Sequence, residues 1–126
     1  MTFARINSGR KGEEQAIACL RKNGYKIIEK NYRTKLGEID IIADDKGVIS
    51  FVEVRSKNSP GFGLPEETIN KKKKAQISKI ALAYIKQCNL MDKSCRFDVV
   101  CIQGVDSPEP EIKLIKDAFE LDDKWR

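Results

Sequence analysis

The chain contains no histidine among its 126 residues. Histidine is the usual general base of Ser-His-Asp and Cys-His hydrolases and a frequent ligand of catalytic zinc. Its absence therefore excludes those hydrolases, histidine-ligated zinc hydrolysis and every nuclease mechanism that uses a histidine. If the chain is an enzyme, its chemistry must rest on carboxylates, Lys, Arg and Tyr, with or without a hard metal ion that binds oxygen.

Long apolar segments and paired cysteines are also lacking. No apolar run approaches the roughly 20 residues that span a bilayer, and the first residues carry no apolar signal-peptide core. We therefore expect no membrane contact and a cytoplasmic location. The four cysteines form no Cys-x-x-Cys pair, which argues against a zinc site and favours reduced, mostly buried thiols.

Basic residues moderately outnumber acidic ones. Lys and Arg together number 24 and Asp and Glu 19, which gives a formal net charge of +5. A basic balance of this size is compatible with nucleic-acid binding, but it equally describes an ordinary solvated surface. The length is that of one domain, so we expect residues 1–126 to form a single folded unit with one hydrophobic core.

Apolar periodicity predicts an α/β fold with the element order α-β-β-β-α-β-β, in which helices flank a mixed central sheet. The short turn Asp44–Gly47 joins the second and third strands, so we expect them to form an antiparallel hairpin. Both strands are apolar on both faces, which is typical of central strands that are covered on each side. The predicted helices are residues 9–23, with Ser8 as the N-cap, and residues 66–88; the predicted strands are residues 25–32, 38–43, 48–55, 96–102 and 111–116, with turns or loops at 33–37, 56–65 and 104–110.

Three charged residues interrupt these core strands: Asp40, Glu53 and Arg55. A charge buried in a strand destabilises the fold by several kcal/mol unless it is paired or binds a metal. Strand alternation places Glu53 and Arg55 on one face, and the hairpin folds Asp40 back alongside Glu53. Two interpretations remain open: a buried ion-pair network without a ligand, or a site that holds a divalent metal ion against a phosphate.

The segment Gly37-Glu38-Ile39-Asp40, followed after a hairpin by Phe51-Val52-Glu53-Val54-Arg55, resembles the Asp…Glu-x-Lys core of the PD-(D/E)XK nuclease superfamily. Nearly the whole chain resembles the bacterial YraN family of restriction-endonuclease-like proteins, which are similar to archaeal Holliday junction resolvases. The resemblance implies a restriction-endonuclease-like fold and a metal-dependent nuclease that acts on DNA, including branched or structured DNA. The other matching segments are Gly9-x-x-Gly12-Glu13-x-x-Ala16, Gly24-Tyr25, Asn31-Tyr32-Arg33, Phe62-Gly63, Lys73, Arg96-Phe97-Asp98-Val99-Val100 and Ile115-Lys116-Asp117-Ala118-Phe119.

The same resemblance implies the residues of the active site. Asp40 and Glu53 correspond to the ligands of Mg²⁺ or Mn²⁺, and the Val54 carbonyl is a candidate third ligand. Glu13, on the first helix, matches the acidic residue that reaches the same site in resolvase-like relatives. Its neighbour Glu14 points about 100° away around a helix, so it is the weaker candidate.

The chain departs from the superfamily pattern at Arg55, where the consensus residue is Lys. Arginine does not give up its proton in proteins, so it cannot act as a general base, although it can hold a phosphate or stabilise developing charge. Lys57 lies two residues further along the same strand face and is a candidate to place an ammonium group near the site.

Two further carboxylates have alternative roles. Glu38 either contacts the metal ligands without contacting the metal ion itself, or forms a surface salt bridge with Arg33 or Lys35. Asp98 matches the family pattern, but Arg96 precedes it by two residues on the same strand face, which favours a structural ion pair.

Basic residues at the starts of both helices are candidates for nucleic-acid contact: Arg10 and Lys11 on the first, and the run Lys71–Lys74 on the second. Four consecutive helical residues spread around more than one turn, so they cannot all face one ligand, and a solvated helix face is the alternative. Lys73 matches the family and is the preferred phosphate contact, whereas Phe62 could stack on a base or dock on the sheet.

Resolvase-like relatives also suggest a two-fold homodimer. A nucleic-acid-binding module with a decayed catalytic site, and a protein-interaction scaffold, are the competing functions.

Overall fold

The computed structural model of the chain describes residues 3–57 and 69–120. These residues form two helices and five strands in the predicted order α-β-β-β-α-β-β. Neither described helix is long and apolar enough to cross a membrane. The elements are α1 (Phe3–Lys22), β1 (Lys26–Thr34), β2 (Gly37–Asp45), β3 (Val48–Lys57), α2 (Lys71–Gln87), β4 (Cys95–Gln103) and β5 (Glu111–Phe119).

The strands form one mixed sheet in the order β1-β2-β3-β4-β5. The β1–β2, β2–β3 and β4–β5 pairs are antiparallel, and β3 pairs with β4 in parallel after the chain crosses over through α2. The predicted hairpin between β2 and β3 is confirmed. Its turn residues Lys46 and Gly47 both have positive φ, as a type I′ turn requires, and Asp44 Oδ1 accepts a hydrogen bond from the Gly47 N–H at 2.7 Å.

One helix packs on each face of the sheet, so β2 and β3 are covered on both sides as predicted. The α2 side is filled by large aromatic and branched residues, and the α1 side by smaller aliphatic ones. Central to the α2 side are Ile39, Ile42, Phe51, Ile80, Phe97 and Val99. Central to the α1 side are Ala16, Leu20, Ile41, Val52, Val100 and Ile102.

The predicted helix starts were wrong. Helix α1 begins at Phe3, so Ser8 lies inside the helix and is not its N-cap; no Gly or Pro between Phe3 and Ser8 interrupts helical hydrogen bonding. Helix α2 begins at Lys71 instead of Glu66, because the Asn70 side chain caps it by accepting a hydrogen bond from the Lys73 N–H at 2.8 Å.

Most strands run past their predicted ends because pairing with a neighbour continues there. The predicted turn at 33–37 shrinks to two residues, since Thr34 pairs with Gly37, and β5 extends to Phe119, which pairs with Phe97. The first two residues of the predicted loop 56–65 belong to β3, and residues 58–65 lie outside the described part of the chain. The four cysteines are thiols and not disulfides, as predicted, but the prediction that most of them are buried was wrong, since only Cys101 is buried.

The sheet is irregular around Asp40. Ladder pairing between β2 and β3 ends at Ile41 and Val52, whereas β3 continues to pair with β4 along its remaining length. Ile39 packs on the α2 side and Ile41 on the α1 side, so strand alternation is interrupted between them. The residue opposite this point on β1 is Asn31, whose φ is +53°. Strand β2 therefore leaves β3 at Asp40, and a gap opens between the two strands.

Candidate active site

The carboxylate of Asp40 lies at the gap between β2 and β3. Its Oδ2 atom accepts a hydrogen bond from the backbone N–H of Val54 at 2.8 Å. That N–H lies beyond the last β2–β3 ladder pair, so the Asp40 side chain takes the place of a strand partner. Glu53 is the residue of β3 directly after that last pair, which brings Asp40 and Glu53 together on adjacent antiparallel strands.

Burial and neighbouring charges disfavour the ionised forms of Asp40 and Glu53. Burial, and after it the charge of Asp40, raises the pKa of Glu53 to about 7 against the opposing charges of Lys73 and Arg55. Burial also raises the pKa of Asp40, and it outweighs the hydrogen bond from Val54 that acts in the opposite direction. Burial of both carboxylates, together with the charge of Asp40 on Glu53 and of Glu38 and Glu13 on Asp40, therefore outweighs what Lys73, Arg55 and the Val54 N–H offset.

Two cations approach Glu53 without making a close ion pair. Arg55 Nε lies 3.8 Å from Glu53 Oε1, and Lys73 Nζ lies 4.0 Å from the same oxygen. Both distances exceed the range of a hydrogen bond. The Arg55 Nε atom is buried and has no hydrogen-bond partner among residues 3–57 and 69–120. A tightly matched Glu53–Arg55 pair, which would explain these charges without a ligand, is not what the geometry shows.

A second acidic cluster, at the opposite end of β3, shows what a satisfied buried carboxylate looks like in this fold. Asp98 is fully buried and accepts hydrogen bonds from Tyr25 Oη, Ser50 Oγ, Arg96 Nε and the Asp117 N–H at 2.6–2.8 Å. Burial raises the pKa of Asp98, but these hydrogen bonds, with Arg96 foremost, outweigh it and leave the pKa below its ordinary value. The predicted structural ion pair of Asp98 with Arg96 is thus confirmed.

A cavity of about 180 Å³ lies beside Asp40 on the α1 side. Glu13 of α1 lines it together with Asp40, Val54 and Ser56. Glu13 Oε1 accepts a hydrogen bond from Asn31 Nδ2 at 2.9 Å. The structure therefore brings Glu13 beside Asp40, as the resemblance implies, and Asn31 orients it. Asp40, Glu53 and Glu13 are called the carboxylate cluster below.

Lys73, on α2, approaches the site from the face of the sheet opposite to α1. Gln76 of α2 donates a hydrogen bond from its Nε2 to the Leu36 carbonyl at 2.6 Å. The same Nε2 atom would lie 2.5 Å from a Cβ at position 37, so only glycine leaves room for this contact. Gly37, with φ of +137°, thus permits the close approach of α2 to the start of β2. The charges of Lys73 and Glu13 both act on Asp40, so the gap is reached from both faces of the sheet.

The remaining lysines of the run separate as helical geometry requires. Lys74 Nζ lies 5.7 Å from the centre of the Phe119 ring, whereas Lys71 and Lys72 are exposed. Arg10 is exposed, and Lys11 Nζ forms a salt bridge of 3.5 Å with Asp106. Neither of these α1 residues contacts the carboxylate cluster.

Glu38 takes the salt-bridge alternative, since its Oε2 lies 3.6 Å from Arg33 Nε, directly across the β1–β2 ladder. Its charge also contributes to the raised pKa of Asp40. Glu14 is exposed. The backbone of Lys57 ends β3 while its side chain, like all of Phe62, lies outside the described residues.

The donor set fits a hard divalent metal with few protein ligands. Within residues 3–57 and 69–120, no group of three or more Asp, Glu or Cys side chains is close enough to hold a metal ion. Mg²⁺, however, uses one or two carboxylates and fills its remaining positions with water and substrate phosphate. Asp40, Glu53 and the Val54 carbonyl supply that kind of oxygen set.

Sequence reasoning missed Asn31 and Gln76, whose hydrogen bonds hold Glu13 and dock α2, and Ser56, which lines the cavity beside Asp40. Asn31 lies in a segment that matches the family, and Asn is among the few residues that tolerate positive φ. Gln76 and Ser56 carry no comparable signal, because their roles depend on contacts between distant elements.

Comparison with known proteins places the chain in a family. The description "Uncharacterised protein family UPF0102" belongs to the family model that matches residues 12–102. A UPF0102 protein of Persephonella marina is 46% identical over 114 residues, covering 90% of this chain and 94% of its own length. Those of Syntrophus aciditrophicus and Moorella thermoacetica are 47% and 41% identical, covering 92% and 94% of this chain and 91% and 100% of their own lengths. The chain therefore belongs to the UPF0102 family.

Proposed function

We propose that this protein is a divalent-metal-dependent nuclease that hydrolyses phosphodiester bonds in DNA, including branched or structured DNA. The observation that carries the proposal is the incompletely neutralised pair Asp40 and Glu53. A carboxylate pair with one buried and one half-buried member and raised pKa values destabilises the fold, and functional sites are where such pairs are retained. The satisfied Asp98 cluster shows that the same sheet can fully hydrogen-bond a buried carboxylate, so the strain at Asp40 and Glu53 is local.

Each of the residues at the site has a separate role in the proposed reaction. Asp40, Glu53 and the Val54 carbonyl would hold Mg²⁺ or Mn²⁺, which supplies an activated water and a polarised phosphoryl oxygen when bound. Arg55 is permanently charged, and its buried Nε has no hydrogen-bond partner within the described part of the chain, so it can donate to a phosphate oxygen. Lys73 can stabilise negative charge that develops beside Glu53.

Glu13 has a different task, because it is held by Asn31 on the α1 side of the gap. From there it can accept a hydrogen bond from a water molecule in the cavity beside Asp40. This position agrees with the role that the resolvase-like resemblance implies for the acidic residue of the first helix.

The test combines binding and cleavage. The melting temperature of the wild type is measured in EDTA and in rising Mg²⁺ or Mn²⁺, and the protein is then incubated with linear, branched and single-stranded DNA. We expect both ions to raise the melting temperature, and cleavage to require them. Glu53→Gln should abolish both responses. A wild type whose melting temperature ignores both ions, and which cuts none of these substrates, would refute the proposal.

A nucleic-acid-binding module without catalysis is the second candidate, and one observation favours it. Arg55 stands where the PD-(D/E)XK pattern has Lys, and Arg cannot serve as a general base. DNA binding that weakens with salt but needs no divalent ion, without cleavage of any substrate, would support this alternative. Failure to bind DNA at low salt would exclude both of these functions and support the third, a protein-interaction scaffold.

A further inference from the structure

A groove runs along α2 next to the candidate active site. Its volume is about 490 Å³, within the size range of sites that bind small organic molecules. Three of its described lining residues are lysines and none is acidic. The described lining residues are Leu36, in the β1–β2 turn, Asn70, which caps α2, and Lys72, Lys73, Ala75, Gln76 and Lys79 on α2.

The groove follows one stripe of the helix. Lys72, Gln76 and Lys79 are spaced at i, i+4 and i+7, so they lie on the same helical face. Seven residues of helix correspond to about 10.5 Å along the axis. Lys72 and Lys79 are therefore spread over a distance that exceeds one phosphate group, which favours a ligand that carries more than one.

The groove and the carboxylate cluster share a residue. Lys73 lines the groove, and its Nζ also lies 4.0 Å from Glu53 Oε1. A chain of phosphates that occupies the groove therefore passes the cluster at Lys73. At the other wall, Leu36 is 47% exposed and offers an apolar surface to a sugar or a base.

We propose that this groove binds one strand of DNA through consecutive phosphodiester groups and presents the strand to the carboxylate cluster. The inference rests on the proposed function for the identity of the ligand. Its support is the match of a groove whose described lining residues are basic and include no carboxylate to a polyanion, the spread of the lysines, and the continuity with Glu53. A single inorganic phosphate would use only part of this surface.

The test measures binding without cleavage, by fluorescence anisotropy of labelled single-stranded and duplex oligonucleotides in EDTA. Leu36→Glu places a carboxylate at the groove, and we expect it to weaken binding by about tenfold, which corresponds to about 1.4 kcal/mol. Met91→Glu is the matched control, because Met91 is 66% exposed, lies after α2 and adds the same charge. It should leave the affinity nearly unchanged. Melting temperatures in the same buffer verify that both variants are folded.

A second pair of variants tests the lysines directly. Lys72→Gln should reduce the slope of log affinity against log salt by about 0.7 for single-stranded DNA, as expected when one phosphate contact is lost. Its neighbour Lys71 is exposed but does not line the groove, so Lys71→Gln should change the slope much less. Inorganic phosphate at an equal concentration of phosphate groups should compete poorly with the oligonucleotide.

Three outcomes would overturn the groove proposal. They are equal effects within either pair of variants, displacement by inorganic phosphate as efficient as by oligonucleotide, and no binding of oligonucleotide by the wild type at low salt. The nuclease proposal is decided separately, because it depends on the metal-induced rise in melting temperature and its loss in Glu53→Gln. A protein that responds to Mg²⁺ but fails the groove test would remain a candidate nuclease that binds its strand elsewhere.

Discussion

Replacing Glu53 by Gln should stabilise the metal-free protein, and the gain should depend on pH. The folded protein raises the pKa of Glu53 from its ordinary value of 4.5 to about 7. Because a raised carboxylate pKa means that the folded state disfavours the charged form, ionisation of Glu53 removes stability as the pH rises through this interval. The interval corresponds to about 3 kcal/mol of folding free energy, at about 1.4 kcal/mol per pH unit.

Gln resembles the protonated form of Glu53 in shape and charge, so it removes this penalty. Below about pH 4.5 the free energy of unfolding should be similar in wild type and variant, and above pH 7 the variant should be more stable by about 3 kcal/mol. For a domain of this size the gain corresponds to a rise of about 10 °C in melting temperature. Thermal and urea unfolding in EDTA, followed by circular dichroism between about pH 4.5 and 8.5, measure it.

Glu14→Gln is the matched control, since it removes the same charge from an exposed position on α1. Its unfolding free energy should stay within about 0.5 kcal/mol of the wild type at each pH. The opposite result for Glu53→Gln would be decisive. If that variant unfolds more easily at every pH, then Glu53 is the ion-pair partner that keeps Arg55 buried, and the reasoning from an uncompensated carboxylate pair is refuted.

The other predictions concern the metal, the second cluster and Arg55. Saturating Mg²⁺ or Mn²⁺ should stabilise the wild type by about 2.7 kcal/mol at a hundredfold excess over Kd, and Asp40→Asn should lose most of this gain when both proteins are unfolded thermally with and without the ion. Asp98→Asn should destabilise the protein by about 3 kcal/mol because it breaks a satisfied buried ion pair. The folded variant should still be stabilised by the metal ion as the wild type is. Loss of that stabilisation would show that the Asp98 cluster and the Asp40–Glu53 pair are energetically coupled. Arg55→Lys should preserve or increase DNA cleavage in a gel assay, since it restores the PD-(D/E)XK residue, and a complete loss of cleavage would show that the guanidinium is specifically required.

Local sequence patterns predict most of this fold. Apolar periodicity gives the order of the elements, the Asp- and Gly-rich turn gives the β2–β3 hairpin, and the two-residue spacing gives the Arg96–Asp98 pair. The divergence of β2 from β3 at Asp40 escapes such reasoning, because it lies opposite the positive φ of Asn31 on β1, and a local pattern in β2 and β3 carries no signal of that conformation. The approach of Lys73 to Glu53 is equally non-local, since it requires α2 to dock beside Gly37.

The gap between β2 and β3 has a consequence for how ligands would enter the site. On the α1 side its opening is lined by Glu13 and Asp40, whereas on the α2 side it is bordered by Lys73. The sheet thus has an anionic entrance on one face and a cationic entrance on the other. Under the proposed function, a divalent cation would be drawn in past α1 and a phosphate past α2. The two would then meet across the β-sheet, and neither would have to pass the other's binding residues.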